Sequence, residues 1–382
     1  MPSCLIVSTG TLWYGAARIP KALANAGFEV ALLAPKDSLA EKSRFIGRVG
    51  HLPDQANAAQ WVFAFAAMVK AVGPRIVLPG DDMSFRLLEM LVNAAPAQMQ
   101  PSLHAELVAL IVDSLGDPAH YATSVDRTRL APAAAALGID TPAFVVAHEI
   151  DVALAFVAEH GYPVVPKRAH GTGGDGTAFC ADEAALRRAF AELAPSAADP
   201  LRAPGMAPLL VQKAVDGHRI VYPVAAWKGE VLAGWAAETL VANPDPGGPP
   251  TVARRHRDPQ ARATARRLVS ALGMSGLLHV ELILERETGR PLLVGINRGI
   301  PPAAHHGAKI GVDLCAALVA ASEGRASPTR ADLDEGETGY SVHFPQEWLR
   351  DPQSDWLRKY PVDVPWDEPE LFEALLAMRP AR

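Results

Sequence analysis

Cysteine is scarce in this chain: three in 382 residues, Cys4, Cys180 and Cys315, far apart and odd in number. Such usage offers neither a disulfide framework nor a cysteine-built metal cluster, and it suits a reducing compartment, so a cytoplasmic protein is expected. Long apolar runs are missing as well. None reaches the ~18 charge-free residues that a membrane-spanning helix needs, and no membrane partner is expected. The first ten residues, Met-Pro-Ser-Cys-Leu-Ile-Val-Ser-Thr-Gly, have no basic lead-in and only a strand-length apolar stretch, which argues against a secretory signal. Nor is there a surplus of basic charge. The formal net charge is −6, and no nucleic-acid partner is expected, since dedicated binders usually carry the opposite excess.

What the chain does have is a short apolar strand running into one lysine and then a glycine-rich loop. Residues 163–177 read Pro-Val-Val-Pro-Lys-Arg-Ala-His-Gly-Thr-Gly-Gly-Asp-Gly-Thr. Gly171, Gly173, Gly174 and Gly176 carry no Cβ, so this backbone can close on phosphate oxygens and aim its N–H groups at them, and Lys167 adds a positive charge. The order of the parts excludes two common phosphate loops. A Walker loop ends in Gly-Lys-Ser/Thr and a dinucleotide loop opens a helix with Gly-x-Gly-x-x-Gly. Here the lysine precedes the glycines and a strand-like Thr-Ala-Phe-Cys (177–180) follows. A hairpin flap is predicted, although such a segment taken alone is equally an ordinary surface turn.

Two later stretches supply the context. Residues 209–217, Leu-Leu-Val-Gln-Lys-Ala-Val-Asp-Gly, predict a strand ending in a polar pair, Gln212 and Lys213. Residues 277–285 predict a strand carrying Glu281, and after a turn at 287–290 a second apolar run, 291–296, ends at Asn297. Two adjacent strands joined by a hairpin set Glu281 and Asn297 side by side. Two hard oxygen ligands are the usual protein share of a magnesium held mainly by phosphates and water.

In this order the three stretches resemble the ATP-grasp superfamily, over roughly residues 115–320. The resemblance implies ATP and magnesium, or manganese in its place, with a small-molecule carboxylate and an amine as substrates and a homodimer as one assembly found in the family. Residue by residue, Arg127 in Asp-Arg-Thr-Arg-Leu (126–130) matches a basic residue that reaches the nucleotide phosphates, and Lys167 matches a second one near the α- and β-phosphates. Residues 171–176 match the flap over the triphosphate. Gln212, Lys213, Ala214 and Val215 match the strand that meets adenine, and Arg219 falls on the strand facing the nucleotide pocket. Glu281 and Asn297 match two magnesium ligands. Arg298 lies where the family holds the acyl acceptor or carboxylate. His279 stands where D-alanine:D-alanine-type ligases carry an arginine for the developing oxyanion.

Two positions depart from the family. Lys213 replaces a glutamate. Residues 293–299 read Leu-Val-Gly-Ile-Asn-Arg-Gly where Leu-x-Glu-Ile-Asn-Pro-Arg is typical, so Gly295 replaces the glutamate that bridges both metals and removes a large part of the charge holding them. Two readings follow. One is a ligase that activates a carboxylate as an acyl phosphate and joins it to an amine, releasing ADP and phosphate. The other is a degenerate nucleotide-binding protein with weak or no turnover. A nicotinamide-dependent dehydrogenase is disfavoured, because residues 9–15, Thr-Gly-Thr-Leu-Trp-Tyr-Gly, lack the three-glycine fingerprint.

The expected fold class is α/β and α+β multidomain: an ATP-grasp fold behind a small doubly wound α/β amino-terminal domain. Residues 1–115 are assigned to that Rossmann-like domain, 116–205 to a first ATP-grasp subdomain with the flap, and 206–325 to a second with the metal and adenine strands. Residues 326–382 form an aromatic, proline-rich extension packed on the core. Strands are predicted at 4–8, 29–33 and 75–78, and helices at 16–26, 60–72 and 303–321. Residues 197–208 and 243–250 predict loops. Asp81 and Asp82, at the carboxyl end of a parallel strand, read either as contacts for a substrate amine or as helix caps. Residues 254–257, Arg-Arg-His-Arg, read as a solvated helix entry, with one arginine reaching the cleft as the competing idea. Glu238 reads as a cleft carboxylate or an edge charge. His305 and His306 are neighbours on a predicted helix and point about 100° apart, which disfavours a shared ion.

Overall fold

The computed structural model describes residues 1–53, 56–96, 99–171, 174–193, 207–245 and 247–378. Gly173 and most of the predicted loop at 197–208 lie outside the described residues. No helix among the described residues is long and apolar enough to cross a membrane.

Strands β1 (Ser3–Val7), β2 (Glu29–Pro35), β3 (Ile46–Leu52) and β4 (Ile76–Pro79) form a parallel sheet in the order β3-β2-β1-β4. Side-chain alternation splits the strands between two cores. Leu5, Val7, Leu33 and Val77 meet Trp61, Phe65, Phe85 and Leu88 of helices Ala58–Val72 and Asp82–Asn93. Cys4, Ile6, Leu32 and Leu78 face the other way, against Leu23 and against Leu314 and Leu318 of helix Leu314–Ser322, far along the chain. This is the doubly wound domain. The helix expected at 16–26 is two, Tyr14–Arg18 and Pro20–Ala26, because Pro20 has no N–H to continue the first and suits the opening turn of the second. Edge strand β3 reads Ile-Gly-Arg-Val-Gly-His-Leu, which carries no regular alternation and gave no strand signal.

A small antiparallel sheet follows, from β5 (Phe144–Ala147), β6 (Val164–Lys167) and β7 (Leu209–Lys213), in the order β5-β7-β6. Since β7 is its central strand, the boundary expected at 206 moves past Lys213. The large sheet contains β8 (Gly217–Trp227), β9 (Glu230–Gly234), β10 (Ala236–Ala242), β11 (Pro250–His256), β12 (Gly276–Glu285), β13 (Pro291–Asn297) and β14 (Thr338–Val342). Its order is β13-β12-β8-β10-β11-β14, with β9 on β8. Leu130 and Ala134 of helix Arg127–Ala136 pack onto it beside Ala265 and Leu268.

The carboxy-terminal segment does more than pack against the core. Its strand β14 extends the large sheet, pairing Val342 with Val252, and Phe344, Leu371 and Leu375 pack against Ala17 and Leu39 of the first domain. Trp356 packs tilted against Tyr340 and Tyr360, whereas Trp366 stays exposed, contrary to the expected burial.

Candidate functional site

The small and large sheets bound one cleft of about 500 Å³. Strand β6 delivers Lys167 to its wall. Beyond it the chain turns as a hairpin: Arg168 N–H donates to Gly176 O at 2.7 Å, and Lys167 and Val164 bridge to Thr177 and Cys180. Gly174 has φ +89°, and a Cβ there would lie 2.9 Å from Gly247 O, so the hairpin rests on the 243–250 loop at a distance only glycine permits. Arg127 opens its helix after the Asp126 cap. Its guanidinium donates to Gly171 O and lines the cleft, fastening the root of the hairpin.

Three cations share this end. Burial first, then the Arg127 and Arg219 guanidiniums, push the Lys167 ammonium down to about 7, with Glu281 pulling the other way. Arg219 Nη1 donates to Gly248 O at 3.0 Å, which ties the 243–250 loop to β8. Gln212 lies on β7 and is 2% exposed, and its Oε1 has no partner among the described residues. Ala214 and Val215 line the cleft beside it. Lys213 also lines the cleft but donates its ammonium to Tyr162 O (2.7 Å) and Gly161 O (3.2 Å).

On the facing sheet, β12 and β13 pair His279 with Asn297 and Glu281 with Gly295. Asn297 Nδ2 donates to Glu281 Oε1 at 2.8 Å and sits 2.7 Å from His279 Nε2. Burial alone would raise the Glu281 carboxyl. The bond and charge of His279, with Arg127 and Arg219, outweigh it and hold the group at about 2. An ionised carboxylate beside an amide is a hard-oxygen donor set that fits one magnesium, with the amide turned to offer its oxygen. Glu281 is the only carboxylate among the described residues that line the cleft, too little charge for a two-metal site. A Cβ on Gly295 would lie 3.2 Å from Glu281 Oε2, so the side chain missing there is one that would have faced Glu281.

Of the remaining sequence candidates, only His306 lines the cleft. Arg298 does not reach a substrate position. It is 2% exposed, donates to Ser124 Oγ (3.1 Å), Leu115 O (2.9 Å) and Ser275 O (3.1 Å), and lies over the Phe85 ring. Asp81 caps its helix by accepting from Ser84 N–H (2.8 Å) and also binds Ser8 Oγ and Thr9 N–H, while Asp82 accepts from Arg298 N–H. Arg254 is paired with Glu238, on the last residues of a strand rather than at a helix entry. His305 and His306 do converge, because residues 304–310 form a 3-10 turn and Asp363 from the extension meets both Nε2 atoms, at 2.8 and 2.9 Å, with Arg18 beside it.

The cleft also has a second end that sequence reasoning passed over. Trp13, Trp235, Ala253, Pro301, His306 and His343 line it, drawn from four distant stretches with no shared motif. Loop 243–250 was legible as a loop, and its Gly-Gly-Pro-Pro run was the one local sign of a close backbone approach.

Residues 126–226 match the family described as carbamoyl-phosphate synthase L chain, ATP binding domain. The chain has the ATP-grasp fold. Solved structures with this fold include the biotin carboxylase domain of Hydrogenobacter thermophilus 2-oxoglutarate carboxylase with MgADP, ADP and bicarbonate. It is 16% identical over 88% of this chain and 73% of that one, with a TM-score of 0.65. Campylobacter jejuni biotin carboxylase in a β,γ-ATP complex is 14% identical over 88% and 74%, with a TM-score of 0.64. Carboxyaminoimidazole ribonucleotide synthase from Aspergillus clavatus, complexed with ATP, is 15% identical over 88% and 81%, with a TM-score of 0.62. At such identities the likeness is one of ATP-grasp fold. No curated protein matches the chain in sequence.

Proposed function

We propose that this protein is an ATP- and magnesium-dependent ligase that activates a small carboxylate and joins it to an amine. The observation that carries the reading is the meeting of Lys167, Arg127 and Arg219 with Glu281 and Asn297 in one cleft, under a glycine hairpin. A carboxylate oxygen attacks the γ-phosphorus of ATP, forming an acyl phosphate and releasing ADP. The amine then attacks the acyl carbon, the C–N bond forms, the C–O bond to phosphate breaks, and the amine gives up a proton to solvent. Magnesium held by Glu281 and Asn297 would neutralise phosphate charge.

The chain's own groups do the positioning. Arg127 and Lys167 offer fixed donors to the phosphate oxygens, and the unpartnered Gln212 Oε1 accepts an N–H from adenine. His279 Nδ1 is buried without a partner among the described residues, and a proton on it would serve a developing oxyanion. Closure of the hairpin keeps water from the acyl phosphate.

The test is magnesium-dependent ADP release with pooled carboxylic acids, bicarbonate included, and pooled amines, for wild type beside Glu281→Gln. Release that needs both substrates and disappears in the variant supports the ligase. Tight ATP binding with no ADP from any pool points instead to the nucleotide-binding protein that Gly295 motivates.

A further inference from the structure

The two ends of the cleft differ in chemistry. Among the described lining residues, every lysine and arginine (Arg127, Lys167, Lys213 and Arg219) belongs to the nucleotide end. The other end is walled by Trp13, Trp235, Ala253 and Pro301, and no carboxylate or fixed cation is among the described residues that line it. Trp235, Ala253, Ile300 and Ala304 form one packed cluster, and Trp13 fixes its rim by donating its indole N–H to Ile300 O at 3.2 Å. A phosphate placed here would lose its water without gaining a countercharge, a transfer that costs several kcal/mol or more for an unpaired ion. An aromatic or branched aliphatic group would bury its surface favourably.

One polar atom in this wall lacks a partner. His343 is 5% exposed, and its Nδ1 meets Pro250 O at 3.0 Å. A carbonyl only accepts, so Nδ1 carries the proton and Nε2 is a bare acceptor, with no partner among the described residues. Burial, then the neighbouring His306, push the imidazole down to about 4, which keeps it neutral at ordinary pH. Its orientation is fixed by His306, whose ring lies edge-on at 5.3 Å and whose Nε2 is held by Asp363. A buried bare acceptor in an apolar wall selects a ligand with an N–H or O–H donor.

We propose, resting on the ligase reading, that this end binds the amine substrate as its neutral base, the form that can attack an acyl carbon, and that the amine is an apolar one, aromatic or branched aliphatic and free of phosphate, with its N–H donated to His343 Nε2. His343 is then a specificity-determining contact supplied by the carboxy-terminal extension.

The test uses the full chain with ADP and magnesium. Binding of 2-phenylethylamine, tryptamine and isoamylamine is compared with that of O-phosphoethanolamine by saturation-transfer NMR titration. At least one apolar amine is expected to bind roughly tenfold or more tightly than O-phosphoethanolamine. His343→Phe should weaken that amine about tenfold, His343→Gln should restore it by keeping an acceptor, and Ala253→Trp should abolish it by filling the pocket. The ADP Kd, which also reports folding, should stay unchanged in all three. Equal binding of O-phosphoethanolamine, indifference to both His343→Phe and Ala253→Trp, or no apolar amine bound while ADP binds would each overturn the proposal. Failure of wild type to bind ADP would instead bring down the ATP-dependent reading beneath it.

Discussion

Raising the pH above 7 should weaken nucleotide binding through Lys167 alone. In the free protein, burial and the Arg127 and Arg219 charges leave its ammonium near 7, against an unfolded value of ~10.4. Between those two values the folded chain binds fewer protons than the unfolded one, so this residue makes stability rise with pH across that window. Binding follows the opposite sign. Phosphate oxygens favour the protonated lysine, so above pH 7 a nucleotide must bring a proton with it. Near pH 8 about one molecule in ten is already protonated, and each further unit costs about 1.4 kcal/mol, or tenfold in Kd. The nucleotide's terminal phosphate ionises with a midpoint near pH 6 and is almost fully charged across this range. Calorimetric titration of ADP with magnesium at pH 7.5, 8.5 and 9.5, in buffers of different ionisation enthalpy, reads both the Kd and the proton taken up. Lys167→Arg keeps its charge throughout and should flatten the profile. A wild-type Kd that is flat over this range, or uptake of no proton near pH 8.5, would refute the reasoning.

Gly295→Glu would direct a carboxylate at the space beside Glu281 Oε2, 3.2 Å from the new Cβ, and should lower the magnesium concentration giving half-maximal nucleotide binding by roughly tenfold, as a magnesium titration would show. Arg298→Met should cost about 2–4 kcal/mol in urea unfolding, because the carbonyls of Leu115 and Ser275 lose their donor, while leaving the ADP Kd unchanged. A large loss of ADP affinity without loss of stability would return Arg298 to the cleft.

The meeting of Lys167, the glycine hairpin, Glu281 and Asn297 in one cleft was legible because the patterns behind it are local. A lysine followed by glycines at 171, 174 and 176, and a strand pair carrying Glu281 and Asn297, are short-range patterns whose geometry depends mainly on strand pairing and turns. Arg298 shows where such reading stops. It follows β13 directly in sequence, yet the chain turns at Gly299 and buries the guanidinium among carbonyls from residues 115 and 275. Local sequence carries no record of those acceptors. The same holds for His305 and His306, whose common partner, Asp363, lies more than fifty residues away.

The sequence by itself determined three of the four strands of the first parallel sheet, the glycine hairpin, and the departure at Gly295, since each depends on residues within one or two elements. Only the tertiary structure decided that β7 closes the small sheet, that β14 completes the large one, and that Trp13, Trp235 and His343 meet at the far end of the cleft. Those contacts join segments from tens to hundreds of residues apart, and burial chooses among them only when the whole chain has packed.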